Sequence, residues 1–256
     1  MFVDTHAHLV DEAYDGDRKE VIHRAGAAGV TRIVNVGYDL DSSRSSVALA
    51  GEYDFVYAAV GVHPHDAARA PADYLEKLSE LARGQKVVAI GETGLDYYRN
   101  LSPRLDQQRV FREQLALARD LELPVIIHDR DAHGDLLAIL RRDGLGRAGG
   151  VLHCFSGSWE MARECVRMGF YISIAGVVTY PKSTRLKSIA VNLPAERLLV
   201  ETDCPYLTPE PRRGRRNEPA YVRYVIEHIA GLRGVPAAEL ALITTENARR
   251  LFGLPG

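Results

Sequence analysis

Eight short apolar runs, separated by segments with helical periodicity, place the first limit on how this chain can fold. The runs lie at 1–5, 32–36, 55–60, 87–90, 125–127, 150–152, 171–174 and 198–200, each bounded by Gly, Pro or polar residues. They are nearly continuous rather than alternating in hydrophobicity, the pattern of strands covered on both faces. Helical spacing recurs between them near 18–28, 41–53, 72–83, 104–121, 132–142, 159–168 and 184–192, with two further segments near 219–231 and 237–251. Strict βα alternation through eight strands predicts an α/β fold, a single (β/α)8 TIM-type barrel with an additional C-terminal helix, rather than an open doubly wound sheet. Two helix starts carry local signals. Ser102-Pro103 reads as an N-cap followed by proline at the first helical position, and Ser158 precedes the segment beginning at Trp159.

The 256 residues suit one such barrel, for which about 250 is typical. No internal repeat, low-complexity tract or linker divides them, so 1–256 is expected to be one domain. The longest irregular stretch, 207–219, is rich in Pro and Arg, follows the last strand, and reads as a site loop. The longest apolar runs, such as Val87–Ile90, fall far short of the roughly 18 residues a membrane span needs. The first ten residues lack the basic start and apolar stretch of a signal peptide, which leads us to expect a cytoplasmic protein. Cys154, Cys165 and Cys204 form no C-x-x-C pair and read as reduced structural thiols. A net charge of −2 does not suggest a nucleic-acid coat protein, whereas an enzyme needs only a local basic patch. Arg212, Arg213, Arg215 and Arg216 could supply that patch or simply form a solvated loop.

The histidines are not scattered. His6 and His8 end the first strand, His63 and His65 follow the third, and His128 and His153 end the fifth and sixth. Asp4, Glu92 and Asp203 sit on or just past strands one, four and eight, whereas His23, His133 and His228 fall in helical segments. The carboxyl ends of all barrel strands converge on one face, so these residues should meet in one pocket. His6 and His8, two apart on an extended strand, point the same way and can grip one ion. Four histidines and two carboxylates exceed the three protein ligands of a mononuclear catalytic zinc site, which points to two divalent ions bridged by Glu92. One ion is assigned His6, His8, Glu92 and Asp203; the other, Glu92, His128 and His153. Asp203 or a nearby histidine is the candidate proton acceptor, and His63 the candidate to hydrogen-bond a phosphate oxygen. Imidazole and carboxylate ligands suit Zn, Mn, Fe, Ni or Co and accept Mg. Cys154 and Cys204 directly follow ligands and should face away.

These residues lie within blocks that strongly resemble the TatD family of metal-dependent deoxyribonucleases over nearly the whole chain: Asp-Thr-His-Ala-His at 4–8, Gly-Val-His-Pro-His at 61–65, Ile-Gly-Glu-Thr-Gly-Leu-Asp-Tyr-Tyr at 90–98 and Pro-Val-Ile-Ile-His at 124–128. His-Cys-Phe-Ser-Gly-Ser at 153–158, Glu-Thr-Asp-Cys-Pro-Tyr-Leu-Thr-Pro at 201–209 and Arg-Asn-Glu-Pro at 216–219 complete the set. The family's metal ligands carry over onto His6, His8, Glu92, His128, His153 and Asp203. The resemblance implies a Mg-dependent DNase, with 3′-to-5′ exonuclease activity in some members, whose partner is DNA, as single strands or 3′ ends. Cys204 departs from the serine often found there, without removing a ligand. Arg130 is a further candidate for a phosphate oxygen, Asp96 for orienting a ligand or water, and Tyr97, Tyr98 and Tyr206 for stacking on a base. Lys182 would add positive charge at the rim.

Two rival readings differ in class. An amidohydrolase-like enzyme acting on a small amide or ester also begins with H-x-H, but commonly has a carboxylated lysine where this chain has Glu92. A non-catalytic metal-binding protein would leave an open, water-accessible barrel mouth without a purpose.

Overall fold

The computed structural model describes residues 1–255. Its eight strands are β1 (Phe2–Ala7), β2 (Val30–Val36), β3 (Val56–Val60), β4 (Val87–Asp96), β5 (Val125–Arg130), β6 (Gly150–Leu152), β7 (Tyr171–Ile174) and β8 (Leu198–Val200). All pair in parallel and in chain order, as the βα alternation predicted. The seam between β8 and β1 is stitched just beyond the regular strands. Asp203 N–H donates to His6 O at 2.9 Å, His8 N–H donates to Cys204 O at 2.8 Å, and Ala7 bridges Cys204.

Seven helices join successive strands: α1 (Arg18–Ala27), α2 (Leu40–Glu52), α3 (Tyr74–Ala82), α4 (Arg104–Asp120), α5 (His133–Asp143), α6 (Trp159–Arg167) and α7 (Thr184–Asn192); α8 (Val222–Arg233) and α9 (Ala237–Phe252) follow β8. Successive strand residues face opposite ways. Ile33, Val56, Ile127, Leu152, Ile172 and Val200 pack outward in the large core shared with the helices. Val3, Val34, Tyr57, Val88, Ile126, Val151, Tyr171 and Leu199, one from every strand, pack in a second cluster that fills the barrel. Leu251, Phe252 and Leu254, at and just beyond the end of α9, join that inner cluster and floor the barrel. No helix among the described residues is long and apolar enough to cross a membrane.

Local departures from the sequence reading have physical causes. Ser158 caps α6 as expected, accepting from Met161 N–H at 3.2 Å. Ser102 does not cap α4: its hydroxyl donates to His65 O and accepts from Ala68 N–H, tying two loops together, and Pro103 holds the cap position. The stretch near 219–231 opens with a 3-10 turn at Pro219–Tyr221 before α8 begins. Strand β4 runs to Asp96, six residues past the apolar run that signalled it.

Candidate metal centre

The inner face of the strands delivers most of the site by parity. His128 lies two residues beyond inward-facing Ile126, His153 two beyond Val151, and Glu201 two beyond Leu199. Glu92 comes from the extension of β4, where the chain is flanked by glycines for steric reasons. Gly91 has φ +148° and a Cβ there would lie 2.7 Å from Ile126 O, while Gly94 has φ +143° and a Cβ there would collide with His128 O. Asp203 turns the corner after β8 at φ 56°, a left-handed conformation that aspartate tolerates better than most residues.

Glu92 divides its carboxylate between two groups of donors. Its Oε2 lies 3.4 Å from His6 Nε2 and 3.6 Å from His8 Nε2, and Asp203 Oδ1 lies 3.8 and 3.6 Å from the same two nitrogens. His6 Nε2 and His8 Nε2 are 3.1 Å apart. Its Oε1 lies 2.8 Å from both His128 Nδ1 and His153 Nε2, which are 3.3 Å from each other. Donors bound to one ion at 2.0–2.2 Å in tetrahedral array stand about 3.3–3.6 Å apart. The group of His6, His8, Glu92 and Asp203 has roughly that spacing, whereas the 2.8 Å contacts of Glu92 with His128 and His153 are hydrogen-bond distances that would open by about half an ångström around an ion. His8 Nδ1 lies 2.9 Å from Val36 O, to which it must donate, leaving the Nε2 lone pair facing inward. His128 Nε2 lies 3.2 Å from Asp96 Oδ2, which likewise leaves Nδ1 as the inward lone pair. Buried lone pairs aimed at one another are satisfied by a cation, and the residues present fit a divalent metal in both groups.

A proton competes with a cation for these inward nitrogens, and the carboxylates between them favour either positive charge. Burial alone would raise the Glu92 carboxyl, but the His153 and His63 imidazoles and hydrogen bonds with His128 and His153 hold it well below the usual range. Asp203 is also lowered: burial opposes ionisation, and the His8 hydrogen bond with nearby His6 and His153 overcomes it. Burial disfavours a charged His153, yet Glu92 and Glu201 raise it well above an ordinary histidine.

His63 differs from the six proposed ligands. Its Nδ1 accepts from His65 N–H at 3.1 Å, so the proton of the neutral ring sits on Nε2, 3.4 Å from Glu92 Oε1. Burial in particular lowers its pKa to about 4, keeping the ring neutral near pH 7. It is therefore built as a hydrogen-bond donor. Asp96 lies behind the site, its Oδ2 within reach of both His128 Nε2 and His65 Nε2, the latter at 2.9 Å. Tyr206 is 55% exposed at the mouth, with its ring 6.3 Å from that of His8 and its hydroxyl donating to Asp11. Arg130 is exposed, with its guanidinium 4.1 Å above the Tyr98 ring. Tyr97, by contrast, is tied down through its hydroxyl to Asp135 and Gln108. Lys182 is exposed.

The structure separates Asp4 from the cluster. Its carboxylate accepts from Thr202 N–H at 2.9 Å and from the Thr202 hydroxyl at 2.6 Å, and burial raises its pKa to about 7. It pins β1 to the chain after β8. Of the arginine cluster, Arg216 is paired with Asp17 at 2.6 Å and Arg212 bonds the Tyr224 hydroxyl, so both brace the loop. The residue the sequence reading missed is Glu201, fully buried, with Oε1 accepting from Cys154 N–H and lying 3.6 Å from His153 Nδ1. That separation exceeds a good hydrogen bond; His153 Nδ1 and Glu201 Oε2 both lack a hydrogen-bond partner among the described residues. Inward parity with Leu199 was the signal available for it.

Comparison with known proteins identifies the family. The uncharacterized metal-dependent hydrolase YabD of Bacillus subtilis is 52% identical, the alignment covering 98% of this chain and 99% of the relative. The 3′-5′ ssDNA/RNA exonuclease TatD of Pectobacterium parmentieri is 41% identical, covering 98% and 99%. The crystal structure of YJJV, a TatD homologue from Escherichia coli K12, superposes with a TM-score of 0.94 at 36% identity, over 99% of this chain and 98% of that one. The sequence profile described as TatD related DNase matches residues 3–253, and the chain belongs to that family of metal-dependent hydrolases.

Proposed function

We propose that this hydrolase cleaves phosphodiester bonds in DNA, trimming single strands or 3′ ends in the 3′-to-5′ direction at a binuclear metal centre. The observation that carries the reading is the divided carboxylate of Glu92, with one oxygen among His6, His8 and Asp203 and the other beside His128 and His153. The name of the Pectobacterium relative, an ssDNA/RNA exonuclease, supports the substrate class. The candidate ligand groups among the described residues mix imidazoles with carboxylates and include no cysteine, a donor set that suits Zn or another transition metal and accepts the Mg or Mn that we take to support activity. Three free cysteines suit a reducing, cytoplasmic setting.

When bound, two divalent ions would stabilise negative charge on the phosphoryl oxygens and acidify water in the site. The chain's own residues supply the rest. Asp203, ionised and partly open to the mouth, accepts the proton of the attacking water through a carboxylate oxygen. Neutral His63 hydrogen-bonds a non-bridging phosphate oxygen through its Nε2–H, which it keeps, where negative charge grows in the transition state. Asp96 holds the His128 ring so that Nδ1 stays turned inward.

Time-resolved digestion of end-labelled single- and double-stranded DNA with Mg, Mn, Zn or EDTA tests the reading. The expected result is stepwise loss from 3′ ends of single strands that stops in chelator. Undiminished cleavage after complete removal of metal overturns it.

A further inference from the structure

The loop between β4 and α4 leaves the barrel beside the proposed metal centre and displays side chains that neither the core nor the site explains. Tyr98 is 63% exposed and Leu101 59%, and the stretch from Tyr97 to Leu105 carries Arg99 and Arg104 but no acidic residue. Large exposed aromatic and aliphatic groups interleaved with cations lose solvation free energy unless something covers them. The Tyr98 ring has a guanidinium on one face, that of Arg130 at 4.1 Å. Arg130 makes no ion pair or side-chain hydrogen bond among the described residues, so its planar fork remains available to an anion.

Position links this pair to the chemistry. Asp96, which holds His128, pairs in register with Arg130, and Tyr97 N–H donates to Arg130 O at 2.9 Å. Tyr98 therefore emerges two residues past the carboxylate that positions a proposed ligand, at the strand end rather than on a distant surface. An aromatic plate braced on one side by a cation and open on the other is the form in which proteins stack unpaired bases, while the neighbouring cation engages the phosphate. The free positive charge beside the plate favours a phosphate chain as the occupant over an uncharged protein surface.

We propose that Tyr98, braced by Arg130, is a base-stacking platform for a nucleotide flanking the scissile phosphodiester, and so a specificity residue of the site. The inference rests on the nucleic-acid reading above. It adds a contact to the strand that acts on affinity rather than on bond cleavage.

The test compares wild type, Tyr98→Ala and Tyr98→Trp in Mg or Mn on two substrates, a short single-stranded oligonucleotide and bis(p-nitrophenyl) phosphate, which has no base. We expect Tyr98→Ala to lower kcat/KM on the oligonucleotide about tenfold, mainly through KM, as suits one lost stack. That drop should exceed the drop on the small diester by at least about fivefold, and Tyr98→Trp should recover most of it. An abasic residue at the flanking position should impair wild type by a similar factor and the alanine variant hardly at all. Equal losses on both substrates, or unimpaired oligonucleotide cleavage by Tyr98→Ala, overturn the platform while leaving the nuclease reading in place. Wild type that hydrolyses the small diester but no oligonucleotide overturns both.

Discussion

Asp96 Oδ2 lies 3.2 Å from His128 Nε2 and 2.9 Å from His65 Nε2, so one buried carboxylate fixes an imidazole on β5 and another on the turn after β3. Burial opposes a charged Asp96, but hydrogen bonds with His128 and His65 hold its carboxyl well below the usual range. Replacing Asp96 with Asn removes an anionic acceptor while keeping the shape. We predict that Asp96→Asn weakens Mn or Zn binding to the apo protein about 10–100-fold, measured by calorimetric titration. Binding as tight as wild type would show that His128 needs no such partner.

Glu92 is the single residue shared by both donor groups. Glu92→Gln keeps volume and loses the charge, and His128→Ala removes one donor from the second group. Each should lower metal-dependent cleavage by roughly a thousandfold or more. Circular dichroism melts should remain cooperative, since neither side chain belongs to the apolar core. Near-wild-type turnover in either purified variant is the result that would remove it from the centre.

Gly94 meets the carbonyl of His128 so closely that no Cβ fits, and its φ of +143° is strained for any other residue. Gly94→Ala should therefore destabilise the fold by about 2 kcal/mol or more and misplace both Glu92 and His128. Thermal unfolding beside an activity assay checks this. A variant with wild-type melting temperature and rate would mean that β4 and β5 can part without cost.

Thr202 supplies two of the hydrogen bonds that satisfy the buried carboxylate of Asp4. Thr202→Val keeps the backbone bond but removes the hydroxyl, which donates to Asp4 and also accepts from Cys204 N–H at 3.3 Å, and a loss of about 1–3 kcal/mol is expected in urea unfolding. An unchanged urea midpoint would indicate that another donor reaches Asp4.

Cys165 is buried, and burial in particular pushes its thiol up to about 12. At pH 8 it is neutral and shielded, so its reaction with a disulfide reagent should wait for unfolding. In a Cys154→Ser background, Ellman titration should find almost no thiol in native protein and two in guanidinium. Rapid native labelling would reveal an opening of α6 that the packing does not suggest.

The strand count and order were legible because parallel strands buried on both faces must be apolar throughout, and each such run is marked by its flanks. That the candidate donors cluster at one face was legible for a related reason: chemistry confined to strand ends shows as polar residues directly after apolar runs. The far half of β4 was not legible. Gly-Glu-Thr-Gly resembles a turn, and only the contact with β5 makes an extended segment of it. Asp4 and Glu92 look equivalent in sequence, since both are acidic residues at strand ends. What separates them is Thr202, nearly two hundred residues away from Asp4, which occupies the first carboxylate and leaves the second free. Glu201 was overlooked beside Asp203 because only the inward register of β8 distinguishes a buried acid from a loop residue. Ser102 had the right neighbour for a cap, and a tertiary contact with His65 drew it elsewhere.

The floor made by Leu251, Phe252 and Leu254, together with the stitching of His6 and His8 to Asp203 and Cys204, makes the beginning of the chain wait for its end. During synthesis, the H-x-H strand emerges some two hundred residues before the segment that clamps it. A chain cut short before Asp203 therefore lacks both a candidate donor and the backbone bonds that fix His6 and His8, and one cut short before α9 lacks the apolar floor beneath them.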